Sequence, residues 1–476
     1  MAIFFSSGEQ KIRPGVYQRY ENTGGASLAG ALNGQVAVVI KSNWGPLGQV
    51  QYIETPSQAY KVYGNGGEND TVSIIEEIFK GGASVVKAIR LGAATTPGSI
   101  NLKDTAGSPA DVITMSLKYS GARAFTYSVR ANPGVETQKQ LIVYDENNIA
   151  RDTFSFTAGA TEVDGLVAAF AEQGSDYITI AKTAEGNGTL ALANQQEITA
   201  GTNPVITNQS YTDGLNLLEA HNWNVVCVDT SDTDILALLQ GYIDRVYSVG
   251  KMAFAVIGEP TSVAFATRVS HATAYNNYKV VYFGGAWVDA SGKTYEGFEA
   301  AARIAGMVAS TPSNEAVTHK SISGAVNLKE FLTNSQYESA IKGGMLTASA
   351  SNAGVIWIDS GITTLVSPSG NDDEGWKKIK RAKIRFELMQ RASDTVEPLI
   401  GNINNSADGR STVVQNVQGV INAMVAEQKL VEGAYIEVDS NNPPQGDSAW
   451  FNIWADDIDS LEKVYFTFKF RFSPEE

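Results

Sequence analysis

The sequence predicts an α/β fold in which a mostly parallel sheet is interrupted by a β-rich insertion. Three observations carry that reading. Between residues 222 and 289, apolar runs of strand length (NWNVVCVDTSD, KMAFAVIGEP, NYKVVYFGGAWVD) alternate with helical periods such as DILALLQGYIDRVYSVG, the pattern of βαβ units covered on both faces. The same texture occurs before residue 95, in QVAVVIKSNWGP and DTVSIIEEIFKGGASVVKAIRL. From Thr95 to Pro204 it gives way to strand-period alternation.

Residues 1–20 carry an apolar patch, Ile3, Phe4 and Phe5, and then RPGVYQRY, where Val16 and Tyr17 follow the punctuation of Pro14 and Gly15. They read as an arm rather than a domain. QVAVVIKSNWGP is a strand stopped by Gly45 and Pro46. Val72, Ile75, Ile78 and Phe79 share one helical face, Gly81 ends that helix, and ASVVKAIRL is the next strand. Within the insertion, DVITMSLKY and FTYSVRA alternate, QLIVYDENNIARDTFSF forms a hairpin about a polar turn at Glu146 to Asn148, and VDGLVAAFAEQ is one helix. The small-residue helix FEAAARIAGMVAS follows the second α/β stretch, and residues 366–476 supply two helices and some strands.

The chain ends on VYFTFKFRF, residues 464–472, and SPEE. Val464, Phe466, Phe468, Phe470 and Phe472 fall on one side of an extended chain, and Tyr465, Thr467, Lys469 and Arg471 on the other. Covering five such side chains is worth roughly 7 to 15 kcal/mol as an upper bound. Left bare, such a strand aggregates. Either the chain's own last domain takes it as an inner strand, or it adds to the sheet of a neighbouring subunit.

A chain of 476 residues is too long for one small core, and about two to four domains is the expectation. The net charge of −15 argues against coating nucleic acid or anionic lipid, so neither is expected as a partner. The single cysteine, Cys227, sits in the apolar run VVCVD and reads as a buried thiol. The start lacks a basic head and a long apolar core, and no uncharged apolar run reaches membrane-spanning length. The expectation is a soluble protein made in a reducing cytosol, without direct membrane insertion.

Catalytic motifs are missing. The three histidines, 221, 271 and 319, have no metal-ligand spacing, and no GxSxG elbow occurs. SGKT at 291–294 lacks the first glycine of a phosphate-binding loop and reads as a hairpin tip. GNGGEN near residue 64 lacks the last glycine of a dinucleotide fingerprint and reads as a loop between strand and helix. Residues 404–415 imitate part of a calcium loop, but Gln415 replaces the bidentate glutamate. No catalytic residue, metal or cofactor is therefore expected. Against the acidic background stands KKIKRAKIRFELMQR, residues 377–391, whose apolar stripe of Ile379, Ala382, Phe386 and Met389 predicts a helix with a basic outer face. Lys377, Lys380, Arg381, Lys383 and Arg385 make it a candidate surface for an acidic partner.

RPGVYQRYEN, AVVIKSNWGP, IIEEIFKGGASVVKAIRL, AARIAGMVASTPSNEAVTHKSISGAVNL, LTNSQYESAIKGGMLTASA, VIWIDSGITTL and GNINNSADGRSTVVQNVQGVINAMVAEQKLVEGA together resemble the sheath proteins of contractile phage tails, in particular those of myophages and defective prophages of Gram-positive bacteria. The resemblance covers most of the chain outside 95–204. It implies an α/β fold with a subtilisin-like α/β/α core without proteolytic function (21–94 plus 205–365), an inserted β-sandwich domain (95–204), an α+β C-terminal domain facing the inner tube (366–463), and arms at 1–20 and 464–476. It also implies a homo-oligomer of stacked rings forming a helical sleeve. The arms would add strands to the C-terminal domains of neighbours. The implied partners are the tail tube protein, which the basic helix would face, and the baseplate and tail terminator proteins. The particle would be a virion tail or a headless tailocin, assembled in the host cytoplasm and contracting to drive the tube through the host envelope. A subtilisin-like serine hydrolase is the alternative that the fold alone suggests, and the absent motifs oppose it.

Overall fold

The computed structural model describes residues 13–15, 34–64, 66–67 and 70–471, together with the backbone of residues 3–4 and 17–18. Phe5, Val16 and Phe472 of the expected arms lie outside the described residues. The chain forms two compact units, one built from Met1–Val36, Glu77–Ser84 and Asn222–Glu476, the other from Ala37–Glu76 and Val85–His221.

In the first unit four parallel strands lie in the order Met345–Leu346, Val280–Phe283, Phe254–Gly258, Val225–Cys227. Every residue of these strands is buried, which is why they read as continuous apolar runs without alternation. The helix Thr233–Ser248 joins two of them. Asp232 caps it by accepting from the Asp234 and Ile235 amides, and Ile235, Leu236, Leu239, Ile243 and Val246 form its buried face. The helix Gly297–Ser310 packs on the same strands and is buried from Ala300 through Ala309. Its small residues have a steric cause: a Cβ at Gly306 would meet the Ile78 carbonyl oxygen at 2.0 Å, and one at Gly81 would meet the Arg303 carbonyl oxygen at 2.2 Å. Two helices thus cross at backbone contact. Beside the crossing, the buried Arg303 donates from Nε to Glu77 Oε2 at 2.9 Å.

The C-terminal part of this unit holds the helices Ile379–Val396 and Ala407–Ala426 and the antiparallel hairpin Tyr435–Val438 with Phe451–Trp454. Phe386 on the first helix lies 4.9 Å from Phe254 and 5.7 Å from the fully buried Trp376 between ring centroids. Ala392, Val413, Val417, Ile421 and Ile436 form a separate cluster between helices and hairpin.

In the second unit the antiparallel sheets run in the orders Ala150–Thr157, Gln138–Asp145, Phe125–Ala131, Ala193–Ile198 and Ile178–Lys182, Asp111–Ser120, Pro97–Lys103. Both sheets and the helix Glu162–Gln173 contribute to one apolar cluster, with Met115, Leu117, Leu141, Val143, Phe154 and Leu166 all nearly inaccessible. The polar turn of the predicted hairpin closes through Asp145, whose Oδ1 accepts from the Asn147 and Ile149 amides, while Asn148 takes a φ of 59°. Arg90, also buried, donates to the carbonyls of Ser42, Gly45 and Ser120 and ties loops of this unit together. The glycines near residue 64 differ from expectation: they follow the helix Pro56–Tyr63 and precede the helix Ser73–Lys80, so the loop joins two helices.

Candidate interaction site at the C-terminal arm

The basic run lies on the helix Ile379–Val396, but its cations do not form an outer face. Lys380 and Lys383 are 7% and 6% exposed. Lys383 Nζ donates to the carbonyl oxygens of Val308, at 2.6 Å, and Thr311, at the C-terminal end of the helix Gly297–Ser310, where unpaired carbonyls concentrate negative charge. Burial pushes its pKa down to about 7. Glu387, one turn on, accepts from Ser313 Oγ at 2.9 Å, and burial raises its carboxyl pKa.

The acidic partner that the run implied is the chain's own segment 457–462. Arg381 grips Asp457 with two bonds, of 2.6 and 2.8 Å, and Arg385 adds a third at 3.1 Å while holding Asp373 at 2.8 and 3.0 Å. Lys378 reaches Asp459 at 2.8 Å and Glu462 at 3.0 Å, and Thr318 donates to Glu462 at 3.0 Å. Lys377 pairs with Glu374 at 2.8 Å. Burial alone would raise the Asp457 carboxyl, but the hydrogen bonds from Arg381 and the charge of Arg385 outweigh it and hold it below the usual carboxylate range. This corrects the expectation of a basic face for the tube: Lys380, Arg381, Lys383 and Arg385 are engaged inside the chain, because helix positions flanking the apolar stripe meet further protein on two sides. Sequence reasoning missed Asp457, Asp459 and Glu462. The signal was the run DDIDSLE directly ahead of the terminal strand.

Past this clamp the protein's packing ends. Ile458 N still donates to the Lys429 carbonyl at 3.2 Å, whereas residues 464–471 join no sheet among the described residues. Phe466 and Phe468 are 77% exposed and Phe470 94%. Their rings stand on one side of the chain, with centroids 6.2 and 6.5 Å apart in succession. Val464 is 56% exposed, and Tyr465 on the opposite side 88%. At the other end of the chain Ile3–Phe4 pairs in parallel with Tyr17–Gln18.

None of the sequence's tempting motifs forms a reactive site. His221 shares a 2.7 Å hydrogen bond with the Tyr52 hydroxyl, His271 Nδ1 lies 3.0 Å from both oxygens of the buried Glu259, and His319 stacks on Trp357 at 4.2 Å. Cys227 is fully buried, and burial raises its thiol pKa. SGKT tips the hairpin between Trp287–Asp289 and Thr294–Tyr295, where Asp289 Oδ1 accepts from the Ser291 and Lys293 amides. Ser406, within the imitation calcium loop, caps the helix Ala407–Ala426. Among the described residues no acidic, histidine or cysteine group has the makings of a metal site, and no helix is long and apolar enough to cross a membrane.

Comparison with known proteins gives this arrangement its context. Residues 205–364 match the family described as the phage tail sheath protein central domain. The chain is 21% identical over 488 residues to the phage-like element PBSX protein XkdK of Bacillus subtilis, covering 97% of this chain and 98% of that protein. Among solved structures, the sheath tail protein of Desulfitobacterium hafniense superposes with a TM-score of 0.70 at 19% identity, covering 93% of this chain and 100% of that one. The helical sheath of the anti-feeding prophage in its contracted state gives 0.54 at 10% identity, over 97% and 99% of the two chains.

Proposed function

Through residues 205–364 the chain belongs to the phage tail sheath proteins, a structural and not an enzymatic family, and we propose that it is the subunit of a contractile sleeve. In this reading it polymerises around an inner tail tube and, on contraction, drives the tube through the host envelope. The subunit works in a virion tail or tailocin assembled in the host cytoplasm, with the tube, baseplate and terminator proteins as partners. The parallel strands of the first unit serve as the subtilisin-like core, kept as scaffold without a catalytic group.

The observation that carries the reading is the uncovered terminal strand. An apolar alternating segment whose rings are three-quarters exposed is at odds with a finished monomer, and addition to a neighbour's sheet gives both its backbone and its rings a partner. The ionic clamp at 457–462 then has a mechanical role: it fixes the root of the arm, so that a pull on the strand is delivered to the helix Ile379–Val396 and through Lys383 to the helix Gly297–Ser310. Negative-stain microscopy of the purified chain tests the proposal, with tubes or rings as the expected particles. A protein that stays monomeric at high concentration, with one serine labelled by a fluorophosphonate probe, would favour the hydrolase instead.

A further inference from the structure

We infer that strand addition to this subunit is one-sided: Gln418 closes the outer edge of Tyr435–Val438, leaving only the Phe451–Trp454 edge to receive the terminal strand of a second copy. The inference rests on the sleeve reading above and adds to it which edge is used and what forbids the other.

The hairpin register pairs Tyr435 with Trp454, Ile436 with Ile453, Glu437 with Asn452 and Val438 with Phe451. The next pair, Asp439 and Trp450, is hydrogen-bonded, with Asp439 N donating to Trp450 O at 2.9 Å. Bonded and non-bonded pairs alternate in an antiparallel ladder, so the main-chain groups of Ile436, Val438, Phe451 and Ile453 point outward. On the first strand those groups are answered from the helix Ala407–Ala426: Ile436 N donates to Gln418 Oε1 at 3.2 Å, and Gln418 Nε2 donates to Ala434 O at 3.2 Å. A side-chain amide thus supplies one acceptor and one donor, as an added strand would. Asn422 Oδ1 holds the same Nε2 at 3.0 Å. On the second strand, among the described residues, no hydrogen bond joins Phe451 or Ile453 to a further strand or helix.

The side chains favour the same edge. Ile436, Val438, Phe451 and Ile453 share one face of the hairpin. Ile436 is buried against the two helices, while Ile453 remains 39% exposed, so the apolar face runs on past the last strand. Phe466, Phe468 and Phe470 continue it. Lys469 and Arg471 then fall on the face of Glu437, which holds Trp454 Nε1 at 2.9 Å. The competing seat is a groove of about 480 Å³ beside Val438, walled by Arg410, Ser411, Val414, Gln415 and Pro444.

The test uses the full chain carrying Phe466→Ser, Phe468→Ser and Phe470→Ser as acceptor and a synthetic peptide of residues 463–471 as probe, followed by titration and amide hydrogen exchange. One peptide binds per chain, exchange at Phe451 and Ile453 slows at least about a hundredfold, and Val438 is unchanged. Ile453→Pro, which removes an amide that the hairpin itself does not use, weakens binding at least about tenfold. Gln418→Ala speeds exchange at Ile436 and admits a second peptide. Protection at Val438, two peptides on the unaltered edge, or a single peptide on Gln418→Ala would overturn the one-sided assignment while leaving the sleeve reading intact. A peptide that binds nowhere would contradict the sleeve reading itself.

Discussion

At the end of the helix Gly297–Ser310, Lys383 holds a buried ammonium against two carbonyl oxygens, and its protonation is therefore tied to stability. Burial lowers its folded-state pKa to about 7, below the value of 10.5 expected when unfolded. Between those limits the unfolded chain binds the extra proton, so stability rises with pH across that window; below it the cost of burying the charge is present in full. Lys383→Met removes this dependence. Its denaturation free energy should gain less with pH than the wild type by up to about 1.4 kcal/mol per pH unit between pH 7 and 10, with an offset of about 1 to 3 kcal/mol for the carbonyls left without a donor. Parallel pH profiles would show that Lys383 stays charged throughout. The sequence displayed this lysine within a basic run but not its surroundings: the carbonyls at Val308 and Thr311, and the carboxylates at 457–462, lie some 70 to 80 residues away along the chain. Charge pattern along one helix reports which faces differ, not which of them meets solvent.

The elements themselves were largely legible, because strands buried on both faces and alternating surface strands leave different periods. What the period does not encode is how closely two elements approach. FEAAARIAGMVAS predicts a helix, and Gly81 a helix end, yet only the structure brings Gly306 and Gly81 together at the crossing. Gly306→Ala should destabilise the protein by about 1 to 3 kcal/mol or more, measured by urea denaturation, since its methyl meets backbone that cannot swing away. A loss under 0.5 kcal/mol would mean the helices separate freely. For the terminal strand, alternation in the sequence agrees with rings on one side and Lys469 and Arg471 on the other. Replacing Lys469 and Arg471 by glutamine should leave assembly in place, seen as pelletable tubes, because only the polar face changes. Abolished assembly would make these cations, rather than the rings, the main attachment.

For the whole molecule, the account joins large packed cores to short terminal strands whose pairing lies between subunits. Undoing a paired strand with buried aromatics is costly, whereas the few residues between Glu462 and Val464 can swing where the clamp ends. Contraction should accordingly move the cores as rigid bodies while each arm keeps its partner, and a comparison of extended and contracted sleeves that revealed exchanged strand partners would refute this. The assembly was legible from the sequence only as two alternatives for one strand, since a period of two is the same whichever chain supplies the neighbouring strand. The most direct measurement is a paired one on the Phe466→Ser, Phe468→Ser, Phe470→Ser variant: thermal melting for the subunit and sedimentation for the sleeve. The account predicts a cooperative melt within about 0.5 kcal/mol of the wild type, as for exposed surface positions, with no particle larger than a subunit. A melt that collapses, or tubes that form regardless, would show that the strand belongs to the chain's own fold.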